Sequence, residues 1–128
     1  MEDNLYSISS LAKKYNISTR TIRYYEELGL LNPIRDNNTH HRVYTKSDRA
    51  RLKLILRGKR FGFPLDEIKE MIELFDIDKT GVKQIKRTIE YGDRKLLELD
   101  DRINELCELK EEILNVKMEL LKKLEENN

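Results

Sequence analysis

Two short helices are predicted by the pattern of apolar and polar residues in the first 30 positions. Ser7 suits the N-cap of a helix over residues 8–15, because its hydroxyl can accept from a free N–H of the first turn. Asn16 can take the left-handed conformation that ends this helix, and Ser18 can cap a second helix only a few residues later. The inward face of the first helix would be Ile8, Leu11, Ala12 and Tyr15. Two helices on so tight a turn are typical of a helix-turn-helix.

The second helix has an outer face suited to nucleic acid. Its inward residues are Ile22, Leu28 and part of Tyr25, and Gly29 and Pro33 follow its end. The side chains left outside supply the donors that phosphates and base edges require; they are Thr19, Arg20, Arg23 and Tyr24. Neighbouring residues of a helix point about 100° apart, so we expect Tyr24 to face outward and Tyr25 to be half-buried.

The tyrosines and the arginines of the second helix could also have roles other than binding nucleic acid. The two tyrosines could both belong to an aromatic core. Arg23 could form an ion pair with Glu26 or Glu27, three or four residues away on the helix, and such a pair does not exclude a contact with DNA.

A two-stranded wing is predicted between residues 33 and 44. Asp36-Asn37-Asn38 forms a cluster of turn residues, and Ile34-Arg35 and Arg42-Val43-Tyr44 flank it as short strands. Because a lone hairpin is marginally stable, the wing must pack on the helices. Arg42, near its end, can reach a phosphate.

Two further helices should follow the wing. The third begins at Thr45 with Asp48 in its first turn, and Gly62 ends it. Its apolar stripe is Leu52, Ile55, Leu56 and Phe61, and its outer face is strongly basic, with Arg49, Arg51, Lys53, Arg57, Lys59 and Arg60. The fourth begins at Pro64 and buries Leu65, Ile68, Met71, Ile72 and Phe75, after which residues 76–81 form a loop.

A long helix with a heptad-like apolar stripe is predicted over residues 82–124. This segment has no proline and one glycine, Gly92. The stripe slips by three residues after Leu106, as in a coiled-coil stammer; its members are Ile85, Ile89, Leu96, Leu99, Ile103 and Leu106, then Leu109, Ile113, Val116 and Leu120. A helix of roughly 60 Å exceeds what a 70-residue head can cover, so we expect the same helix of a second subunit to pair with it. The alternative is that the helix folds back on its own head.

The net charge of +1 conceals a basic first half and an acidic second half. Residues 1–62 hold 13 Lys or Arg and 6 Asp or Glu, a net +7, whereas residues 63–128 hold 12 and 18, a net −6. This asymmetry favours a polyanionic partner for the first half, although the excess could also be a solvated face. No apolar run is long enough for a membrane span and no secretion signal is visible, so we expect a cytoplasmic, nucleoid-associated protein.

Candidate sites for other chemistry are weak. The adjacent His40 and His41 lie in a predicted loop without a nearby cysteine, so we interpret them as wing-tip or phosphate-contacting residues and predict no metal site. Cys107, the single cysteine, lies beside the stripe and is interpreted as a small packing residue rather than a redox sensor. No catalytic set and no phosphate-cradling loop can be identified, so we expect neither enzymatic activity nor a cofactor.

The combination of these motifs resembles the MerR family of bacterial transcription regulators. The resemblance covers residues 5–75 almost continuously and rests on Ile8-x-x-Leu11-Ala12, Ile17-Ser18, Thr21-Ile22-Arg23-Tyr24-Tyr25-Glu26, Gly29-Leu30-Leu31, Pro33, Arg35, Arg42-Val43-Tyr44 and Leu65-x-x-Ile68. It implies a mainly α fold, with a winged helix-turn-helix head followed by a long helix that forms an antiparallel coiled coil in a homodimer. The corresponding domains are residues 1–75, a linker over 76–81, a dimerisation helix over 82–124 and a tail over 125–128.

The resemblance also implies a mechanism. Such a dimer binds a pseudo-palindrome in double-stranded promoter DNA and distorts an overlong spacer between the −35 and −10 elements, which brings them into register for RNA polymerase. The residues expected at DNA are Ser18, Thr19, Arg20, Arg23, Tyr24 and Tyr25 of the second helix, Arg42 and Tyr44 of the wing, and Lys59 and Arg60 at the end of the third helix.

The signal that such a regulator would sense is not indicated by the sequence. The head has no cysteine, Cys107 is in mid-helix, and the predicted elements include no separate ligand domain, so any small effector is unidentified. Two alternatives are an architectural or excisionase-like DNA-binding protein, which would usually lack the long helix, and a coiled-coil protein whose head binds other proteins.

Overall fold

The computed structural model describes residues 5–35, residue 38 and residues 41–127. The elements in chain order are β1 (Leu5–Ser7), α1 (Ile8–Tyr15), α2 (Thr19–Glu27), β2 (Ile34–Arg35), β3 (Arg42–Thr45), α3 (Lys46–Arg60), α4 (Leu65–Ile77) and α5 (Val82–Glu126). The chain separates into two compact units, residues 1–84 and residues 85–128. The prediction of a mainly helical chain with a winged head and a long C-terminal helix is confirmed. The finer domain boundaries drawn from the sequence stay a prediction.

The helix-turn-helix is held by the local caps that the sequence indicated. The Ser7 hydroxyl accepts from the backbone N–H of Ser10 at 3.0 Å, and the Ser18 hydroxyl accepts from that of Thr21 at 3.1 Å. Asn16 has a φ of 55°, so it takes the left-handed stop between the helices. Gly29 has a φ of 80° just after α2.

A three-stranded antiparallel sheet replaces the predicted two-stranded wing. Its order is β1-β3-β2, with Leu5 opposite Thr45 and Ile34 opposite Val43. The two predicted strands are confirmed, and β1 had not been predicted because three residues carry too short a pattern. β1 stabilises the wing by tying its inner strand to the segment that leads into α1. Of the predicted wing tip, Asp36, Asn37 and His40 lie outside the described residues.

The first unit packs around one apolar core. Its fully buried members come from α1 to α4 and the connections between them; they include Leu11, Ile22, Leu30, Leu31, Tyr44, Leu52, Ile55 and Ile68. The prediction for Phe61 was wrong: α3 ends at Arg60, and Phe61 is 56% exposed. Gly62, with a φ of 85°, reverses the chain so that Phe63 enters the core instead.

Asp48 joins the start of α3 to the segment that follows α2. Its carboxylate accepts from the Thr45 backbone N–H at 3.1 Å, while the Thr45 hydroxyl accepts from the Asp48 N–H, which completes a capping box. The same carboxylate accepts from the backbone N–H of Asn32 at 2.9 Å. Asp48 is fully buried, so it is a structural anchor and not simply an acidic residue in a first turn.

Arg51 also departs from the sequence-based interpretation. It was predicted on the exposed basic face of the third helix, but its side chain is only 17% exposed. Its guanidinium lies 2.8 Å from Asp76 at the end of α4 and 3.6 Å from Asp48. A cation can be withdrawn from water at this depth because two carboxylates compensate it.

The packing of α3 against α4 depends on Gly58. A Cβ added there would lie 2.8 Å from both Cγ1 and Cδ1 of Ile68, which is fully buried. Glycine therefore allows the two helices to approach more closely than a larger residue would.

The connection between α4 and α5 is shorter than the predicted loop over residues 76–81, because α4 continues to Ile77. Asp78 accepts from the N–H and hydroxyl of Thr80 and from the backbone N–H of Lys83. These hydrogen bonds, chiefly those from Thr80, lower the pKa of the Asp78 carboxyl below its usual value. Gly81 has a φ of 82° just before α5 begins.

The helix α5 has 45 residues and a stripe of exposed apolar side chains. The predicted stripe residues are all at least 42% exposed in the single chain. Tyr91 is the buried exception in this helix, with the guanidinium groups of Arg87 and Arg94 stacked 4.4 and 5.2 Å from its ring centre. Cys107 is exposed here, so its burial at a helix–helix contact stays a prediction.

Candidate nucleic-acid interface

The outer face of α2 carries the side chains that the sequence selected. Arg20 and Arg23 are exposed, Tyr24 is 48% exposed, and Thr19 is partly exposed. The hydroxyl of Ser18 is engaged as the N-cap and lies 2.8 Å from that of Thr21. Burial of Ile22 and Tyr25 fixes which side of α2 faces outward, so its cations and one phenol are exposed together.

Tyr25 is not available to DNA, which corrects the sequence-based assignment. It is only 6% exposed, and its ring lies 6.0 Å from that of Tyr24 at an angle of 46°. The 100° step between neighbours puts one ring outside and the other almost completely in the core, rather than half in it. Burial, and secondarily the proximity of Tyr24, raise the pKa of the Tyr25 phenol.

Tyr44 was also assigned to DNA, and this assignment is wrong as well. The side chain is fully buried on the inner face of β3, and its hydroxyl donates to Oε1 of Glu26 at 3.1 Å. Burial and the hydrogen bond to this carboxylate raise the pKa of Tyr44 to about 12. Tyr44 therefore ties the wing to α2 in this structure.

Glu26 connects α2 to the wing through two partners. Besides the Tyr44 hydroxyl, its carboxylate binds Nε of Arg42, at 3.0 Å for one oxygen and 3.1 Å for the other. The sequence suggested Glu26 as a partner of Arg23, but in the structure it pairs with an arginine 16 positions away. The Arg42 side chain remains 33% exposed, so the ion pair orients it without removing it from the surface.

A cationic cleft of about 380 Å³ lies where α1, α2 and the wing meet. It is lined by Arg23, Arg35 and Arg42, by His41, and by Ser7, Ile8 and Ser9 at the start of α1. Helix starts present N–H groups and a partial positive charge, so this cleft is suited to an anion such as a phosphate. The role of Arg35 and of the start of α1 was missed, because only the fold brings them beside Arg23.

The remaining predicted contacts lie outside this cleft. Lys59 and Arg60 are exposed at the end of α3, next to the exposed Arg57. Arg49 from the same helix lies partly buried, with its guanidinium 5.0 Å from the ring centre of Tyr6 in β1.

Other kinds of site are not found in the described part of the chain. No cluster of three or more His, Cys, Asp or Glu side chains in residues 5–35, 38 and 41–127 could hold a metal ion. Among the same residues, every helix is too short or too polar to cross a membrane.

A helix-turn-helix, a sheet wing and a cationic surface that both elements share define the chain as a winged-helix DNA-binding protein. Residues 6–74 match the family model of the MerR HTH family regulatory protein, and residues 49–116 match the model described as MerR, DNA binding. The chain belongs to the MerR family. It is a transcriptional regulator, and the excisionase-like alternative is not favoured.

The curated relatives agree with this assignment. The chain is 32% identical over 109 residues to the HTH-type transcriptional regulator CueR of Salmonella typhi, covering 84% of this chain and 76% of that protein. It is 33% identical over 104 residues to the regulator HmrR of Rhizobium leguminosarum bv. viciae, covering 81% and 78%.

Solved structures give the same result. HiNmlR, described as a MerR family regulator lacking the sensor domain and bound to promoter DNA, has 30% identity and a TM-score of 0.53, covering 72% of this chain and 78% of that one. A MerR family regulator from Bacillus thuringiensis has 26% identity and a TM-score of 0.65, covering 87% and 98%.

Proposed function

We propose that this regulator binds a pseudo-palindromic promoter as a homodimer, with one copy of α2 at each half-site. The observation that carries this proposal is the common surface formed by the exposed side of α2 and the cationic cleft beside it. HiNmlR, to which the chain is similar, is bound to promoter DNA in its own structure.

Base edges and phosphates are assigned to different parts of this surface. Thr19, Arg20 and Tyr24 on α2 address the major groove and its flanking phosphates, with Ser18 at the helix start. Arg23, Arg35 and Arg42 hold a phosphate against the start of α1. Lys59 and Arg60 contact the phosphate backbone of the DNA further along the duplex. Because most of these contacts are ionic, affinity should fall steeply with salt, by about 0.9 logarithmic units per tenfold salt for each phosphate neutralised.

The dimer is supported by the apolar stripe of α5. A continuous helix of 45 residues spans roughly 68 Å, and its stripe is exposed to solvent in a single chain. The proposed dimer contacts are Ile85, Ile89, Leu96, Leu99, Ile103, Leu106, Ile113 and Leu120, paired with an antiparallel copy. A two-fold axis in the protein then matches the two-fold axis of the DNA site.

The proposed action is to distort a promoter whose −35 and −10 elements are too far apart, so that RNA polymerase can engage both or is held away from them. Protein–phosphate contacts on both sides of the spacer supply the binding free energy for this deformation. The role is non-enzymatic and is exerted on double-stranded DNA in the cytoplasm, at the nucleoid.

The DNA assignment is tested by footprinting the region upstream of the protein's own gene, with binding measured by fluorescence anisotropy. Arg23→Ala should lower affinity about tenfold or more for loss of a charged contact. Arg102→Ala removes an exposed arginine of α5 and serves as the matched control, which should leave affinity unchanged. Unchanged affinity of a folded Arg23→Ala protein would refute the contact assignment, and absence of any protected palindrome would refute the function.

The dimer is tested separately by sedimentation equilibrium. Ile103→Asn places an amide in the stripe and should shift the mass toward the monomer, whereas Arg102→Asn, one residue away, should not. Equal masses for the two variants would contradict the assigned stripe.

A further inference from the structure

A second cavity lies in the first unit, away from the cationic surface. Its volume is about 150 Å³, and its apolar wall is formed by Ala50 and Leu54 of α3 and Ile72 and Phe75 of α4. An enclosed apolar cavity of this volume holds benzene, whereas this one opens to solvent beside the exposed Ala50 and Phe75. The site therefore has room for a body of about six carbon atoms.

The polar side of this cavity is formed by Ser47, Arg51 and Gln84, and Arg51 carries its charge. One guanidinium nitrogen, Nη2, lies 2.8 Å from Asp76, and the other, Nη1, lies 3.6 Å from Asp48. Asp76 is 41% exposed and also lies 3.6 Å from the ammonium of Lys79. Asp76 can therefore release Arg51 and still keep a cationic partner, whereas Asp48 is buried and fixed by its hydrogen bonds to Asn32 and Thr45.

We propose that this cavity is an effector site for a small monocarboxylate with an apolar body, such as an aromatic or branched aliphatic acid. The body fills the space between α3 and α4, and the carboxylate takes the place of Asp76 on Arg51. A planar guanidinium binds a carboxylate through two parallel hydrogen bonds, so the charged end is selected together with the apolar end. An uncharged molecule of the same size lacks the polar half of this recognition.

The site is connected to the DNA-binding helix by a short chain of contacts. Arg51 lies beside Oδ1 of Asp48, and this oxygen also accepts from the backbone N–H of Asn32, in the segment that follows α2. A ligand that draws the guanidinium toward the cavity weakens its contact with Asp48 and changes the support of that segment. This coupling rests on the proposed function, whereas binding of the acid does not.

Binding is tested with benzoate and the full chain, by methyl and amide NMR shifts at constant ionic strength. Benzoate should bind with a dissociation constant in the millimolar range or below, with shifts centred on Ala50, Leu54 and Ile72. Benzyl alcohol, which has the same ring and no charge, should bind at least tenfold more weakly. Absence of saturable shifts with benzoate would overturn the proposal, as would equal affinity for the alcohol.

Three variants make the assignment specific. Ala50→Leu fills the cavity from an exposed position and should abolish binding in a protein that still folds. Asp76→Asn removes the competing carboxylate and should tighten binding about two- to fivefold, the strength of a partly exposed ion pair. Glu73→Gln makes the same chemical change at an exposed position of α4 and is the control. Retained affinity in Ala50→Leu, or weakened affinity in Asp76→Asn, contradicts the site.

The coupling between the effector site and DNA binding is tested separately, by measuring DNA affinity with and without benzoate. A change in DNA affinity of at least threefold, absent in Ala50→Leu, supports the coupling. Benzoate binding without such a change rejects the coupling but leaves the binding site. A protein that binds no DNA rejects the proposed function, while the NMR titration still decides whether the acid binds.

Discussion

The carboxylate of Glu26 should be energetically coupled to the hydroxyl of Tyr44, and a double-mutant cycle can measure this coupling. Glu26→Leu removes the acceptor and leaves the Tyr44 hydroxyl buried without its partner. An unsatisfied buried hydroxyl costs about 1–3 kcal/mol, and the partly exposed ion pair with Arg42 adds up to about 1 kcal/mol. We therefore expect Glu26→Leu to lower the free energy of unfolding by about 2–3 kcal/mol.

The decisive result is the sign of the Tyr44→Phe effect in two backgrounds. In the native protein, this substitution removes a hydrogen bond to a carboxylate and should destabilise by about 1.5 kcal/mol. In the Glu26→Leu background it removes the orphaned hydroxyl, so it should stabilise by about 1 kcal/mol. The resulting coupling energy, about 2.5 kcal/mol, is well above the error of such cycles.

The assay is urea unfolding of the full chain at one protein concentration, followed by tyrosine fluorescence. Five of the six tyrosines lie in residues 1–84, so the signal reports on the head. Tyr15→Phe, at a half-buried position of α1, is the control and should change stability by a similar small amount in both backgrounds. If Tyr44→Phe destabilised both backgrounds equally, the hydroxyl would not depend on Glu26 and the assigned link between α2 and the wing would be refuted.

Three further predictions concern buried groups of the head. Gly58→Ala should lower the free energy of unfolding by about 1–2 kcal/mol in the same urea assay, because overpacking against Ile68 outweighs the better helix propensity of alanine; a gain in stability would contradict the close approach of the helices. Asp48→Ala should lower the free energy of unfolding by about 2–4 kcal/mol, because the helix cap is lost and the N–H of Asn32 is left unpaired, and Asp48→Asn should lower it less. A loss under about 1 kcal/mol in Asp48→Ala would contradict the anchoring role of Asp48. The pKa of Tyr44 is about 12 in the folded protein and 10.0 in the unfolded chain, so its contribution to the free energy of unfolding is complete below pH 10 and is lost as pH rises toward 12. The urea midpoint should therefore fall less between about pH 9 and pH 11 in Tyr44→Phe than in the native protein. An equal fall in both proteins would contradict the raised pKa.

The elements that the sequence predicted best are those fixed by neighbours in the chain. The N-caps at Ser7 and Ser18 bind backbone groups three residues ahead, and the stops at Asn16 and Gly29 depend on one residue's conformation. For this reason the bounds of α1 and α2 could be predicted within a residue or two. The outward position of Tyr24 followed from helix geometry in the same way.

The errors come from partners that are far away in the sequence. Glu26 and Arg42 are 16 residues apart, as are Asn32 and Asp48, while Arg51 and Asp76 are 25 apart. No local pattern distinguishes an arginine that faces solvent from one that meets a distant carboxylate. Tyr44 illustrates a weaker signal: it is central in a short strand, between the half-buried Val43 and Thr45, and alternation alone allowed either face.

The anchoring role of Asp48 has a consequence for how the head opens. One buried carboxylate satisfies amide hydrogens on both sides of the wing, at Asn32 and Thr45, and it also fixes the first turn of α3. Detachment of either segment removes one hydrogen bond from this buried carboxylate, so we expect both amide hydrogens to be released to solvent in the same opening event. We therefore expect the segment that follows α2 and the first turn of α3 to behave as one cooperative unit in hydrogen exchange.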